Sequence, residues 1–293
     1  MHSTPPLSES TSVNDPIDQA EELDCDKHYY HPIWPQRWTH PDFTEQASAK
    51  WKEEPWYENT ADRITHRFLT QQFLCHFPWG YIIYRTVYTP ESEELWPIAI
   101  EKLTRVINKW IKGELNHPRK RYGDNPRPEQ LIEESHKDVI ISDSSRWDGA
   151  SIEQVRGHFA QYLRKIKQEE HCEDSRFAVC LIIDERSLKS IVATEDPHGG
   201  FVGVVDGRYT PEKRYDSPSY RGYMRVLVWA LWPLYLNLQF DHMCELCPNA
   251  PDGWIPVYDE SDGTAQDEDG NFIPRDFGRK RPEGLAQRRR GRG

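Results

Sequence analysis

The chain of 293 residues is long enough to bury a sizeable core, and its formal net charge is -11. That charge argues against a general nucleic-acid surface, which needs a basic face to displace counterions from phosphates. A content of 11 Trp and 14 Tyr argues against a wholly disordered chain, which would be poor in aromatics.

Residues 1–27 are Ser, Thr, Pro and acid, with too little apolar surface to offset the entropy of ordering them, so a disordered tail is expected. They contain no apolar stretch of the signal-peptide kind. Residues 28–57 set Tyr29, Tyr30, Trp34, Trp38, Phe43, Trp51 and Trp56 among prolines, and read as an irregular aromatic arm on the domain surface. Residues 60–75 carry Ile64, Phe68, Leu69 and Phe73 at helical spacing.

The stretch from Trp79 to Tyr88 is β-branched and aromatic on both faces, which suits a central strand. Thr89 and Pro90 then supply an N-cap and a first helical residue for a helix to about Ile111, with Pro97 marking a kink or a restart. Residues 113–137 read as an exposed connection and Asp138 to Ile141 as a short strand. Ser151 and Gln154 form a capping box, followed by Ile152, Val155, Phe159 and Ile166 at helical spacing. Phe177 to Ile183 is a second buried strand, with Asp184 capping a short helix that carries Leu188 and Ile191. Phe201 to Val205 is a third strand, closed by the turn pair Asp206-Gly207. A loop of Tyr, Pro and basic residues leads to a strand from Tyr223 to Val228 and a helix over about 230–240. Residues 259–269 are acidic and expected to be disordered; from Arg279 the chain turns basic, ending in Arg288-Arg289-Arg290-Gly291-Arg292.

Together these elements predict one α+β domain over residues 28–256. Its sheet is expected to be mixed or antiparallel, of four to five strands, with helices packed on it; a ferredoxin-like variant fits. Residues 257–293 are expected to be a disordered acidic-then-basic tail.

Cys25, Cys75, Cys172, Cys180, Cys244 and Cys247 are sparse and lack a regular framework, which points to a reduced compartment. The apolar run from Val226 to Leu238 falls short of the roughly 18 residues that span a bilayer, so no membrane partner is expected. The expected setting is the cytoplasm, with the basic tail as a candidate nuclear address and the one segment suited to a polyanion such as nucleic acid.

Four segments carry a family resemblance. Trp79-Gly80-Tyr81-Ile82-Ile83-Tyr84-Arg85-Thr86-Val87-Tyr88-Thr89-Pro90-Glu91-Ser92, Asp148-Gly149-Ala150-Ser151, Ile182-Ile183-Asp184-Glu185 and Gly222-Tyr223-Met224-Arg225-Val226 together resemble a family of uncharacterised proteins of filamentous ascomycete fungi. The resemblance implies a fungal, intracellular protein and brings no catalytic residue with it.

The chain has no Gly-rich phosphate loop, no G-x-S-x-G elbow and no H-E-x-x-H. His242 with Cys244 and Cys247 has C-x-x-C spacing, but structural zinc needs about four ligands, so neither zinc nor a cofactor is expected. His28 and His31 read as part of the aromatic arm, and His198-Gly199-Gly200 as a turn. Arg85 is the strongest candidate: a guanidinium within an apolar strand needs a carboxylate or several acceptors, and Asp184 is the first candidate partner. Arg208, Tyr209 and Arg214, in the 207–221 loop, are the other ligand-binding candidates beside Arg85 and Asp184.

Two function classes follow. One is a non-catalytic interaction or accessory protein that meets a protein partner through the aromatic arm and the 207–221 loop. The alternative is a small-molecule enzyme or binder with Arg85 lining an anion pocket. A pocket with converging polar groups around Arg85 favours the second class; a closed ion pair favours the first.

Overall fold

The computed structural model describes residue 53 and residues 79–115, 136–165, 175–195, 199–213, 215, 220–260 and 264–272. The aromatic arm, the 60–75 segment, His198, Arg214 and the basic tail lie outside the described residues.

Three strands run parallel: β1 (Ile82–Arg85), β2 (Val139–Ile141) and β3 (Val179–Ile183). β1 lies between the other two, and its faces enter two separate helix-covered cores, which is why both are apolar. β4 (Phe201–Asp206) and β5 (Tyr223–Leu227) continue the sheet antiparallel, β6 (Ile255–Tyr258) pairs parallel to β5, and β7 (Ala265–Gln266) pairs antiparallel to β6. The sheet is therefore mixed and seven-stranded, in the order β2-β1-β3-β4-β5-β6-β7.

Helices cover both faces. On one side α1 (Pro90–Leu115) packs Ala99, Leu103 and Ile107 over Ile83, Leu181 and Val204, beside α5 (Glu185–Ala193) and α6 (Leu231–Asn237). On the other side α2 (Ser144–Trp147) and α3 (Ile152–Lys165) press Trp147, Val155, Phe159 and Tyr162 on Ile82, Tyr84 and Ile182. Two shorter helices complete the described set, α4 (Ser175–Ala178) before β3 and α7 (Met243–Leu246) after α6. None of the described helices is long and apolar enough to cross a membrane.

The mixed sheet with packed helices agrees with the sequence reading; its size does not. Four to five strands become seven, and parallel pairing with helices on both faces replaces the ferredoxin-like variant, whose helices would sit on one face. The difference lies at the acidic end. The sheet continues past residue 256, and the described part of the stretch 259–269, expected to be disordered, contributes β7 and the turn at residues 268–269. Buried Arg225 on β5 organises this end. Its Nη1 donates to Gln266 Oε1 (3.2 Å) and Asp267 O (2.8 Å), and its Nη2 to Glu268 O (3.0 Å), 4.3 Å over the Phe201 ring. The turn sends carbonyls inward to the cation and leaves its acids in water, so composition alone misreads it.

Local signals set most of the other boundaries. Ser151 N donates to Gln154 Oε1 (2.8 Å) and Gln154 N to Ser151 Oγ (3.2 Å), the expected capping box of α3. Pro97 sits inside α1 without ending it. Lys102 of α1 reaches the C-terminal carbonyls of α5 at Val192 (3.3 Å) and Thr194, where a cation complements the helix dipole.

The entry side of the parallel strands is a polar seam. Asp138 accepts from Tyr81 N (2.8 Å) and lies 3.1 Å from His136 Nε2, whose ring stacks on Trp79 with centroids 4.3 Å apart. Burial acts to raise the Asp138 pKa, but the His136 charge and hydrogen bond, the Tyr81 amide and the Arg176 charge outweigh it and hold the carboxyl below its ordinary 3.8. The folded pKa therefore lies below the unfolded one. The Asp138 contribution to stability is complete above about pH 4 and is lost as pH falls through the lower folded value. Urea unfolding at stepped acid pH should show wild type losing stability below that point, with a shallower loss in Asp138→Asn. Equal slopes in the two proteins would contradict the assignment.

Candidate functional site

Arg85 ends β1 with its side chain 6 % exposed, and its donors close on the start of α1. Nε donates to Val87 O (2.9 Å), Nη2 to Ser92 Oγ (3.2 Å), and the Nη1/Nη2 fork to Glu93 Oε2 and Oε1 (3.2 and 2.8 Å). The Tyr88 and Trp96 rings lie 4.5 and 4.8 Å from its guanidinium carbon. This bidentate ion pair forms because Thr89 and Pro90 turn the chain directly from strand into helix, bringing the first turn of α1 back over the strand end.

Asp184 is not the partner of Arg85. Its Oδ1 accepts from Ser187 N at 2.8 Å and caps α5. Glu93 is 58 % exposed, so losing Arg85 returns a carboxylate to water rather than stranding a buried acid. Arg85→Met is therefore expected to cost about 1–3 kcal/mol, the range for groups deprived of a hydrogen-bond donor, below the ~3–5 kcal/mol of a fully buried broken pair. Urea unfolding checks this; a loss above that range would mean Glu93 is desolvated with it.

The 207–221 loop brings together more than the sequence reading placed there. Asp206, at the end of β4, accepts from Arg208 N (2.8 Å) and from the Tyr220 hydroxyl (2.6 Å). Burial and the adjoining Asp206 carboxylate push the Tyr220 phenol far up, so it stays a donor. Around it the Tyr209, Tyr215 and Tyr220 rings form one cluster: Tyr209 stacks on Tyr215 at 5.3 Å, and Tyr220 meets them edge-on at 5.6 and 5.0 Å. The Tyr215 hydroxyl accepts from Thr210 N (3.1 Å).

Arg156 of α3 braces this cluster from below. Its guanidinium lies 4.8 Å over the Tyr209 ring, Nη2 donates to the Arg221 and Gly222 carbonyls (3.1 and 3.0 Å), and Nη1 pairs with Glu153. Gly222 closes the loop with φ +65°, and a Cβ there would lie 2.3 Å from Tyr209 Cγ, so glycine is required on both counts. The result is a pair of half-buried tyrosines, Tyr209 and Tyr215, on a buried frame, bordered by half-buried Arg208 and exposed Lys213 and Arg221. Lys213 Nζ stands 5.5 Å from the Tyr215 ring centre.

Of the sequence candidates, Arg208 and Tyr209 thus fall in one cluster. Arg85 and Asp184 belong to two separate helix starts, and Arg214 lies outside the described residues. Sequence reasoning places Tyr220 in the loop but misses Arg156 and Asp206 as members. The usable signals were the Asp206-Gly207 turn and a glycine, Gly222, directly before a strand.

Cys244 and Cys247 adjoin the same region. Burial first, then the neighbouring Cys244, pushes the Cys247 thiol up to about 12; burial, Glu245 and Asp206 raise Cys244. Among the described residues no group of three His, Cys, Asp or Glu side chains gathers as a metal site. Compared with known proteins, the chain matches no protein-family model, no curated protein and no solved structure.

Proposed function

We propose that this chain is a non-catalytic interaction protein whose contact surface is the 207–221 loop, and that the partner presents an acidic peptide segment. The carrying observation is the frame under Tyr209 and Tyr215. Asp206, Tyr220, Arg156 and Gly222 hold two half-buried tyrosine rings in place before any partner arrives. Preorganised aromatic surface lowers the entropy cost of binding, and tyrosine supplies area with a polar tip. Arg208, Lys213 and Arg221 set a basic border on a chain of net charge -11, which selects an acidic partner and steers its approach. Arg85, closed on Glu93, supports this reading over an anion pocket. A fungal, intracellular setting, and a nuclear address in the basic tail, belong to the same proposal.

The test is binding of fluorescent peptides to the full chain, comparing acidic aromatic-containing sequences with charge-reversed ones. Acidic peptides should bind selectively, weaken as salt rises, and lose at least about tenfold in affinity in Tyr209→Ala, the order expected for a central aromatic contact. Equal binding of both peptide sets, or acidic binding indifferent to Tyr209→Ala, would overturn the reading.

A further inference from the structure

We infer that Cys244 and Cys247 are a redox modification site, closing to a disulfide by exchange with a small-molecule disulfide such as oxidised glutathione. The two residues share one helical turn: Cys247 N donates to Met243 O (2.9 Å) and Glu245 N to His242 O (2.9 Å). Positions three apart on an α-turn have Cα atoms about 5 Å apart, from the 1.5 Å rise and 2.3 Å radius of the helix. That separation lies within the span of about 4.4–6.8 Å that a disulfide bridges, and both side chains leave the same face. The turn is held in shape by its own cap, with His242 N donating to Glu245 Oε2 at 2.9 Å. Closure therefore asks for side-chain rotation and little backbone movement.

Exposure assigns the roles. Cys244 is half-buried at the edge of the core cluster and the more exposed of the two; Cys247 is 8 % exposed and packs in the cluster, which also holds Tyr220. The Cys244 thiolate attacks one sulfur of the small disulfide, forming a mixed disulfide and releasing one glutathione thiol. Cys247 then attacks the Cys244 sulfur, releasing the second glutathione. Two S–H bonds are lost and one S–S bond forms in the protein, while one glutathione disulfide is reduced to two thiols. Among the described residues the other cysteine, Cys180, does not compete, because it is buried against the opposite face of the sheet. Raised thiol pKa values mean little thiolate at neutral pH, so exchange is slow there and accelerates as pH rises.

The inference stands apart from the peptide-binding proposal. Reduced full-length protein is incubated natively with excess oxidised glutathione, remaining thiols are alkylated, and peptides are mapped by mass spectrometry. A Cys244–Cys247 crosslink reversed by dithiothreitol, formed faster at higher pH, is expected. Cys247→Ser should instead retain glutathione on Cys244, and Cys244→Ser should leave Cys247 unmodified. Full alkylation of both cysteines in the wild type after native oxidation would overturn the inference. So would glutathione persisting on wild-type Cys244 without a crosslink, or a zinc ion that shields the pair until chelated.

Discussion

Arg176→Ala is expected to destabilise this chain more than Arg85→Met does. Arg176 is fully buried in α4, directly before β3. Its Nε donates to Gly80 O (3.2 Å), before β1, and its Nη2 to Lys137 O, before β2. One guanidinium thus ties the entry points of all three parallel strands. Gly80 adopts φ +133°, a conformation left to glycine, and a Cβ there would sit 2.8 Å from Lys137 O, so the two strand entries pack too closely at this point for a larger residue. Truncation removes a donor from two carbonyls, takes a positive charge from beside Asp138 and opens a cavity. A loss of about 3–5 kcal/mol follows, comparable to breaking a buried pair and a large share of a domain's typical stability. Urea unfolding of Arg176→Ala against wild type measures it. A loss under about 1 kcal/mol, the scale of an ordinary single hydrogen bond, would show that the seam is held by something else.

Gly222→Ala is expected to act on the loop surface as well as on stability. The left-handed backbone at Gly222 costs an alanine about 1–2 kcal/mol. The added methyl also collides with the Tyr209 ring 2.3 Å away, and relieving that overlap costs about 1–3 kcal/mol more. The cheap way out is rotation of Tyr209, which breaks its stack on Tyr215 and its contact with Arg156. The variant should therefore remain folded, melt lower, and bind acidic peptides as poorly as Tyr209→Ala. A lowered melt with wild-type peptide affinity would separate Gly222 from the contact surface.

The pattern of what the sequence reveals follows from the range of each interaction. β1, β3, α3 and the Asp184 cap are legible because their signals are local: apolar runs, helical spacing and a capping residue within a few positions. β6 and β7 are not, because Ile255 to Tyr258 is short and the turn beyond it is acidic. The force that orders that turn comes from Arg225, far back in the chain. Strand order is hidden for the same reason, since parallel pairing is a non-local choice. Arg85 is instructive in the opposite sense. Its burial and need for a carboxylate are readable from an apolar strand, but the partner lies in the next element, at Glu93, rather than across the sheet at Asp184. The tyrosine cluster is half legible. The loop's composition shows aromatic and basic residues, whereas the Asp206–Tyr220 bond and the Arg156 brace depend on which helix lies beneath it.

The contact surface itself is tested most directly by hydrogen–deuterium exchange of the full chain with and without the tightest-binding acidic peptide. Protection is expected over residues 206–222 and in the facing part of α3 around Arg156, with the Arg85–Glu93 junction unchanged. Protection centred on Arg85 and the start of α1, with the 206–222 segment exchanging as in the free protein, would contradict the assignment.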